Sequence, residues 1–391
     1  LKLCWATGGN VSFLNMPVSY APREVSVDME ARQRIADAFS GNPDPVLRVL
    51  GGALKHLMPR SLLEDHQFWM REAERAARSM DVKACFTSMM SSGNEGLTHL
   101  LAAHAKSGTP IFSMQHGGGY GSFRYIPEEV HERKCSNRYL TFGWKDHASD
   151  VPMPVISSSV IKQRAIFRAK IKRLLFVSGD RPLFTHKIQS HPLTGEGRNY
   201  FMQQELFYDI LSEDARAVYV YRPYLESYGH GHERWHLRKT PGLCTDERSF
   251  CDSLSRSDLV VFDQNATGFL QTLSSNIPTV LLLDEMIWEV RDSAKEHFDT
   301  LKQAGILHHG PAHAAKHVNR VCHDLDRWWS GSDVQSARER FCLRYFWSRG
   351  DWASIWKTLL SDVSDRHPLV PESRGSPGAS CASSSSDLMR I

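Results

Sequence analysis

His116 stands ahead of three consecutive glycines in QHGGGYG, residues 115 to 121, directly behind the apolar run Ile111, Phe112, Ser113, Met114. An imidazole can donate a hydrogen bond or pass a proton near neutral pH. Successive glycine amides can form a nest for phosphate or carboxylate oxygens. Glycine weakens helix and strand alike, so Gly117, Gly118 and Gly119 together imply a backbone that something approaches closely. The run is not the dinucleotide fingerprint, which opens a helix, because Pro127 soon follows Gly121.

Further chemistry lies downstream. Glu128, Glu129 and Glu132 precede the strand-like YLTFGW (139 to 144), and a carboxylate brought to His116 could act as acid, base or nucleophile at a sugar carbon. In YRPY (221 to 224), Arg222 sits just past a strand, where a guanidinium can clamp a phosphate or carboxylate. FDQNATGFLQTL (262 to 273) reads as strand, polar turn and helix, with Asn265 and Thr267 able to cap the helix and turn its amides toward an anion.

Two patterns read as decoys. HERWH (232 to 236) satisfies H-E-x-x-H, which would place a zinc hydrolase on His232, Glu233 and His236. Gly229 and Gly231 before it and Pro241 and Gly242 after it leave little room for the helix this motif needs. Asp324 and Asp326 form a D-x-D inside a helical pattern running to Trp328 and Trp329, which reads as a solvated helix face. No metal site is expected.

These residues need elements to hold them. From residue 64, Trp69, Ala73, Ala76 and Met80 follow helical spacing, and Val82 to Phe86 then reads as a short strand. SSGNEG (91 to 96) turns the chain into a helix marked by Leu97, Leu100 and Leu101, and Ile111 to Met114 completes a βαβ unit. A loop around Pro152 and Pro154 reads as a linker. Beyond it come strands at 173 to 178, 217 to 221, 258 to 262 and 278 to 283, with helices from Met202 to Leu211 and from Thr267 to Ser275. After residue 293 the pattern is helical only.

The fold class expected is α/β, with two Rossmann-like doubly wound domains and a helical C-terminal segment. The division is 1–155, 156–365 and a Ser/Pro/Gly-rich tail at 366–391 whose composition predicts disorder. The chain begins with Leu, and no strand and helix precede the Gly8, Gly9 turn, so the first domain reads as lacking its start.

Composition narrows the class. With 391 residues, 41% hydrophobic and 23% charged, the chain can bury ordinary cores. A formal charge of +3 supplies no basic stripe for nucleic acid. Eight cysteines with no C-x-x-C pair indicate reduced thiols, hence a cytoplasmic location. No stretch is long and apolar enough to span a membrane, although peripheral membrane association stays open.

The order of these pieces resembles a family of transferases encoded among bacterial surface-polysaccharide genes. The resemblance rests on QHGGGYG, on Glu132 leading to RYLTFGW (138 to 144), on YRPY, and on the stretch from DQNATGFLQTL to NIPTVLLLD (263 to 284). It continues through WEVRDSAKEHFDTLKQAGILH (288 to 308) and the WW pair with the VQSARERF helix, covering roughly residues 60 to 360. Such proteins look like GT-B glycosyltransferases, distantly similar to capsule-type transferases that use CMP-linked sugar acids. The resemblance implies a metal-independent transfer from a nucleotide-sugar, with CMP favoured, to a glycan or lipid-linked acceptor, and no cofactor. It implies catalytic roles for His116 and Glu132. Gly117, Gly118, Gly119 and Tyr120 would face donor or acceptor oxygens, and Arg222, Asn265, Thr267 and Arg291 would offset phosphate charge. Gln271 stands where the family has a glutamate that can bind the nucleotide ribose, and Asn137 where it has an aspartate. These departures make a catalytically degenerate nucleotide- or glycan-binding relative the alternative.

Overall fold

The structure is a computed structural model and describes residues 24–88, 94–156, 170–180, 196–224, 244–246 and 248–365. HERWH, the Gly8, Gly9 turn and the tail at 366–391 lie outside the described residues. The chain divides into two compact units, one of residues 1–12 and 113–358 and the other of residues 13–112 and 359–391. One sheet draws its strands from residues 85–152 and the other from 174–308.

The unit containing residues 13–112 begins with two helices, α1 (Met29–Ser40) and α2 (Pro45–Leu57). Asp28 and Asp44 cap them by accepting from Ala31 N and Val46 N at 2.8 Å each. Arg32 ties the pair to the following turn through a buried fork on Glu64, with Nε at 2.7 Å from Oε1 and Nη2 at 3.0 Å from Oε2. Helix α3 (His66–Arg78) then packs on α4 (Glu95–Lys106) through Ala73, Ala77, Leu100 and Ala103. Strand β1 (Cys85–Thr87), helix α4 and strand β2 (Ile111–Met114) form the expected βαβ unit.

In the other unit, α5 (Pro127–Lys134) leads to β3 (Arg138–Thr141) and β4 (Asp150–Pro152). The strand order of the first sheet is β1-β2-β3-β4. The Pro152 region is therefore a strand rather than a linker, paired in parallel with Tyr139 to Thr141, and Met153, Pro154 and Val155 beyond it are buried. Three residues ending in proline carry too little periodicity to announce a strand, and at the sheet edge a proline removes no ladder bond.

The second sheet uses β5 (Leu174–Val177), β6 (Tyr219–Arg222), β7 (Cys244–Thr245), β8 (Leu259–Phe262), β9 (Thr279–Leu282) and β10 (Leu307–His308). Every pair is parallel, and the order is β7-β6-β5-β8-β9-β10. The chain starts in the middle, winds out one way, returns beside its first strand and winds out the other way. That is the doubly wound dinucleotide-fold order, whose switch point lies between β5 and β8. LLFV, LVVF and TVLL are buried along their whole length, as strands covered by helices on both faces must be. The covering helices include α6 (Gly197–Ile210), α7 (Glu213–Ala217), α8 (Phe250–Arg256), α9 (Thr267–Ser274), α10 (Asp292–Gln303) and α11 (Pro311–Val321). Beyond residue 293 the two-residue strand β10 interrupts the expected all-helical pattern. Helices α12 (Leu325–Trp329), α13 (Ser332–Tyr345) and α14 (Trp352–Asp365) follow. Their aromatics close the core as expected: Trp329, Phe341 and Tyr345 are buried, and Trp356 Nε1 donates to Pro154 O at 3.0 Å.

Candidate functional site

All the residues singled out for chemistry within the described chain fall in the unit of residues 113–358. The loop 115–121 leaves β2 and is pinned at its start by the buried Gln115. Gln115 Oε1 accepts from Phe142 N at 2.8 Å and Trp144 Nε1 at 2.7 Å, while Nε2 donates to Gly117 O at 3.0 Å. The glycines answer to different constraints. Gly119 and Gly121 take φ of 89° and 70°, the left-handed region, and a Cβ at 121 would lie 2.3 Å from the Trp144 ring. Gly118 faces the start of α9: a Cβ there would lie 2.5 Å from the Ala266 carbonyl carbon, and its amide donates to Thr267 Oγ1 at 2.9 Å. What comes close to Gly118 is thus protein backbone from the second sheet's helical layer.

His116 is the exposed residue of this loop. Its Nδ1 lies 3.1 Å from the hydroxyl of the buried Tyr120, and the two rings meet edge to face at 5.0 Å. Nδ1 also lies 3.9 Å from Oε1 of Glu132, a side chain with no exposure at all. That distance is an electrostatic contact, too long for a hydrogen bond. Glu132 comes from the second half of α5, and Tyr139 on β3 donates to its Oε2 at 3.3 Å. Burial pushes the Glu132 carboxyl up to about 7, helped by Glu128 and Glu129 and opposed by the Tyr139 hydrogen bond. Sequence placed three glutamates in competition; the fold brings Glu132 to the histidine.

Glu129 goes to arginines instead. Arg291 holds it in a two-pronged bridge, Nη1 to Oε1 at 3.0 Å and Nη2 to Oε2 at 2.8 Å, and donates Nε to Phe123 O at 2.8 Å. Glu129 further accepts from Gly121 N at 2.8 Å and from Arg133 Nη2 at 3.0 Å, and Arg133 continues to Asp150 at 2.7 Å. Arg291, expected beside phosphate, therefore has its guanidinium committed to loop carbonyl and carboxylate. Arg222 is likewise buried: its Nη1 donates to Arg248 O at 2.8 Å, Ser253 Oγ at 2.9 Å and Asp246 O at 3.3 Å. Burial pulls its guanidinium below the usual value.

The turn after β8 also departs from expectation. Ala266 occupies the N-cap of α9 with no side-chain cap bond, so neither Asn265 nor Thr267 caps the helix. Thr267 instead accepts from Gly118. Asn265 is buried, its Nδ2 lies 3.4 Å from Ser122 Oγ, and its Oδ1 has no hydrogen-bond partner among the described residues. Gln271 lies half-buried one turn into α9.

Sequence reasoning passed over Asp263, which sits at the switch point. Buried at the carboxyl end of β8, it accepts from Gly179 N just past β5 at 2.7 Å and from Gln204 Nε2 of α6 at 2.5 Å. Burial pushes its carboxyl up to about 7 against the pull of Gly179, Tyr200 and Gln204. A narrow depression beside it is lined among others by Tyr200, Gln203, Asp284 and Trp288. The available signal was an acid placed directly behind the apolar run LVVF. Among the described residues no group of three or more His, Cys, Asp and Glu side chains could hold a metal. Asp324 and Asp326 of the D-x-D stand at the start of α12, Asp324 being 3.9 Å from Arg327 on an exposed face. No helix of the described residues is long and apolar enough to cross a membrane.

Among solved structures, MurG of Acinetobacter baumannii overlaps 75% of this chain and 77% of its own at 11% identity and a TM-score of 0.43. The UDP-GlcNAc 2-epimerase of Neisseria meningitidis, bound to UDP-GlcNAc, overlaps 85% and 96% at 11% identity and a TM-score of 0.43. The spinosyn rhamnosyltransferase SpnG overlaps 78% and 83% at 11% identity and a TM-score of 0.41. Overlaps this loose fix neither fold nor chemistry. No curated protein matches the sequence. The profile of the LIC12162 family transferases matches residues 6–360, more than half of the chain, and the protein belongs to that family.

Proposed function

We propose that this family member is a GT-B-type glycosyltransferase that moves a sugar from a nucleotide-activated donor, CMP-linked in the first instance, to a glycan or lipid-linked acceptor in surface polysaccharide synthesis. The observation that carries the reading is the approach of exposed His116 to buried Glu132, 3.9 Å apart, at the carboxyl end of β2. With Nδ1 turned to Tyr120 and Glu132, Nε2 is the nitrogen that takes the proton of the acceptor hydroxyl. Ionised Glu132 then stabilises the imidazolium. The acceptor oxygen bonds to the anomeric carbon, the bond from that carbon to the phosphate oxygen breaks, and the nucleotide leaves with the electron pair.

The donor belongs at the switch-point crevice beyond β5 and β8, where parallel sheets hold ligands. Asn265, whose Oδ1 has no hydrogen-bond partner among the described residues, supplies a polar contact there, with Asp263 beside it. Arg222 and Arg291 support this surface from within rather than touching phosphate. The transfer needs no metal in this reading.

The test incubates the purified chain with CMP-, UDP-, GDP- and TDP-sugars and oligosaccharide acceptors in the presence of EDTA, and measures released nucleotide. Release with one donor class, reduced about a hundredfold or more in His116→Ala and Glu132→Gln, is the expected result. Nucleotide-dependent stabilisation without release from any donor would make the chain a binding protein and sink the catalytic reading. Release that EDTA abolishes would overturn its metal independence.

A further inference from the structure

We infer that Tyr120 is the positioning residue that orients the His116 imidazole and selects which of its two nitrogens carries the proton. The step this serves rests on the reading of His116 as the base; the orienting contact itself does not. Tyr120, expected to face donor or acceptor oxygens, is only 6% exposed and is turned back along its own loop. Its hydroxyl lies 3.1 Å from Nδ1 of His116, four residues earlier, and the two rings meet edge to face at an interplanar angle of 68°. The neighbouring glycines explain how the chain doubles back. Gly119 and Gly121, on either side of Tyr120, both hold positive φ. Ser122 N and Phe123 N donate to Gly119 O at 2.9 and 2.7 Å, which closes the turn, and Gly121 N is fixed on Glu129 Oε2 at 2.8 Å. The tyrosine is clamped on both sides, and its hydroxyl is what holds the exposed histidine.

A hydroxyl can accept from a protonated Nδ1 or donate to a bare one, and the surroundings choose between them. Glu132 Oε1 lies 3.9 Å from the same nitrogen, is buried, and has no hydrogen-bond partner among the described residues. A bare Nδ1 would turn its lone pair toward the ionised carboxylate, whereas a proton there is attracted by both oxygens. At 3.9 Å the carboxylate supplies charge without direction, and the hydroxyl at hydrogen-bond distance supplies the direction. Burial, with Glu132, Glu128 and Glu129 adding to it, pushes the phenol above its usual value, so Tyr120 stays an un-ionised acceptor. With Nδ1–H held on Tyr120, the lone pair is on Nε2, the nitrogen a general base must present. When Nε2 takes the acceptor's proton, Nδ1–H stays where it was, and the ring need not turn.

The experiment is nitrogen NMR of the full, ligand-free chain carrying isotope-labelled histidine, at about pH 8 where Glu132 is ionised, with His116 assigned by its loss in His116→Ala. The expected result is a protonated Nδ1 and an unprotonated Nε2 on His116. Tyr120→Phe keeps the ring and its edge-to-face contact but removes the hydroxyl, and should move the population toward the Nε2–H form. Its melting temperature should fall by no more than a few degrees, so a change of tautomer is not a sign of unfolding. In nucleotide release from CMP-, UDP-, GDP- and TDP-sugars, Tyr120→Phe should lower kcat about tenfold or more with KM held, since the hydroxyl is turned away from solvent. A protonated Nε2 in the parent chain, or the same tautomer in the parent and Tyr120→Phe, would overturn the assignment. The expected tautomers without release from any of these sugars would uphold the orienting contact and sink the base.

Discussion

The amide of Gly118 donates to Thr267 Oγ1 at 2.9 Å across 149 residues of sequence, joining the loop after β2 to the first turn of α9. The two backbones touch here, because a Cβ at 118 would stand 2.5 Å from the Ala266 carbonyl carbon and 2.7 Å from Thr267 N. Gly118→Ala must therefore move one backbone against the other. The expected cost is about 1–3 kcal/mol, seen as a lower melting temperature in the absence of any ligand. Thr267→Val keeps the shape but removes the acceptor, and should cost about 1 kcal/mol. If Gly118→Ala melted like the parent chain, the glycine would be serving a ligand and not this contact.

Arg222 makes a separate prediction about the second sheet. A phosphate clamp at the end of β6 would leave the unliganded protein as stable as before when truncated. The observed Nη1 bonds to Arg248 O, Ser253 Oγ and Asp246 O, with the guanidinium 5.5 Å from the Phe250 ring, say otherwise. Arg222→Ala would leave buried carbonyls without a donor, and is expected to destabilise the ligand-free chain by about 2–4 kcal/mol. Denaturant titration without nucleotide decides between the two roles.

The second sheet was legible in the sequence because its central strands advertise themselves. LLFV, LVVF and TVLL are apolar at nearly every position, which burial on both faces requires. The short edge strands were not legible, since Cys244–Thr245, Leu307–His308 and Asp150–Pro152 owe their conformation to the partner they lie beside. The site shows the same divide. His116 stood out because the glycines behind it are costly in any regular element, whereas its approach to Glu132 depends on how α5 docks. Thr267 looked like a cap because its type and place suit one, and a tertiary contact took its hydroxyl. Asp263 was passed over for its more recognisable neighbours. Local sequence names what a side chain can bond to; the fold decides which partner arrives.

Arg291 and Glu129 form a largely buried pair with side-chain exposures of 19% and 6%, and Arg291 also lies against the Trp144 ring at 5.8 Å. Without Arg291, Glu129 keeps only Arg133 and the Gly121 amide, and Phe123 O loses its donor. Arg291→Ala is expected to cost about 1.5–3 kcal/mol. Arg291→Lys keeps the charge but cannot reach Phe123 O and both carboxylate oxygens together, so it should recover only part of that loss. A lysine variant equal to the parent in thermal melting would show that charge alone, and not the fork, fastens the loop after β2.

Glu132 links stability and turnover to pH through one carboxyl. Its pKa in the folded chain is raised to about 7 by burial, above the unfolded value of about 4.3. Folding thus takes up a proton at this site between those values, and the stabilisation is full below about pH 4.3 and lost as pH rises through about 7. This group alone should make the protein less stable at pH 8 than at pH 5 by on the order of 2 kcal/mol. Glu132→Gln should flatten that part of the profile and leave the slope from Asp263, whose carboxyl is raised in the same direction. Activity should run the opposite way. The proposed base is supported by ionised Glu132, so turnover climbs as pH passes about 7, just where stability falls. In Glu132→Gln the residual rate should lose that rise. A variant that keeps the parent's pH–rate profile while losing its pH–stability slope would confine Glu132 to the fold and return the catalytic role to His116 alone.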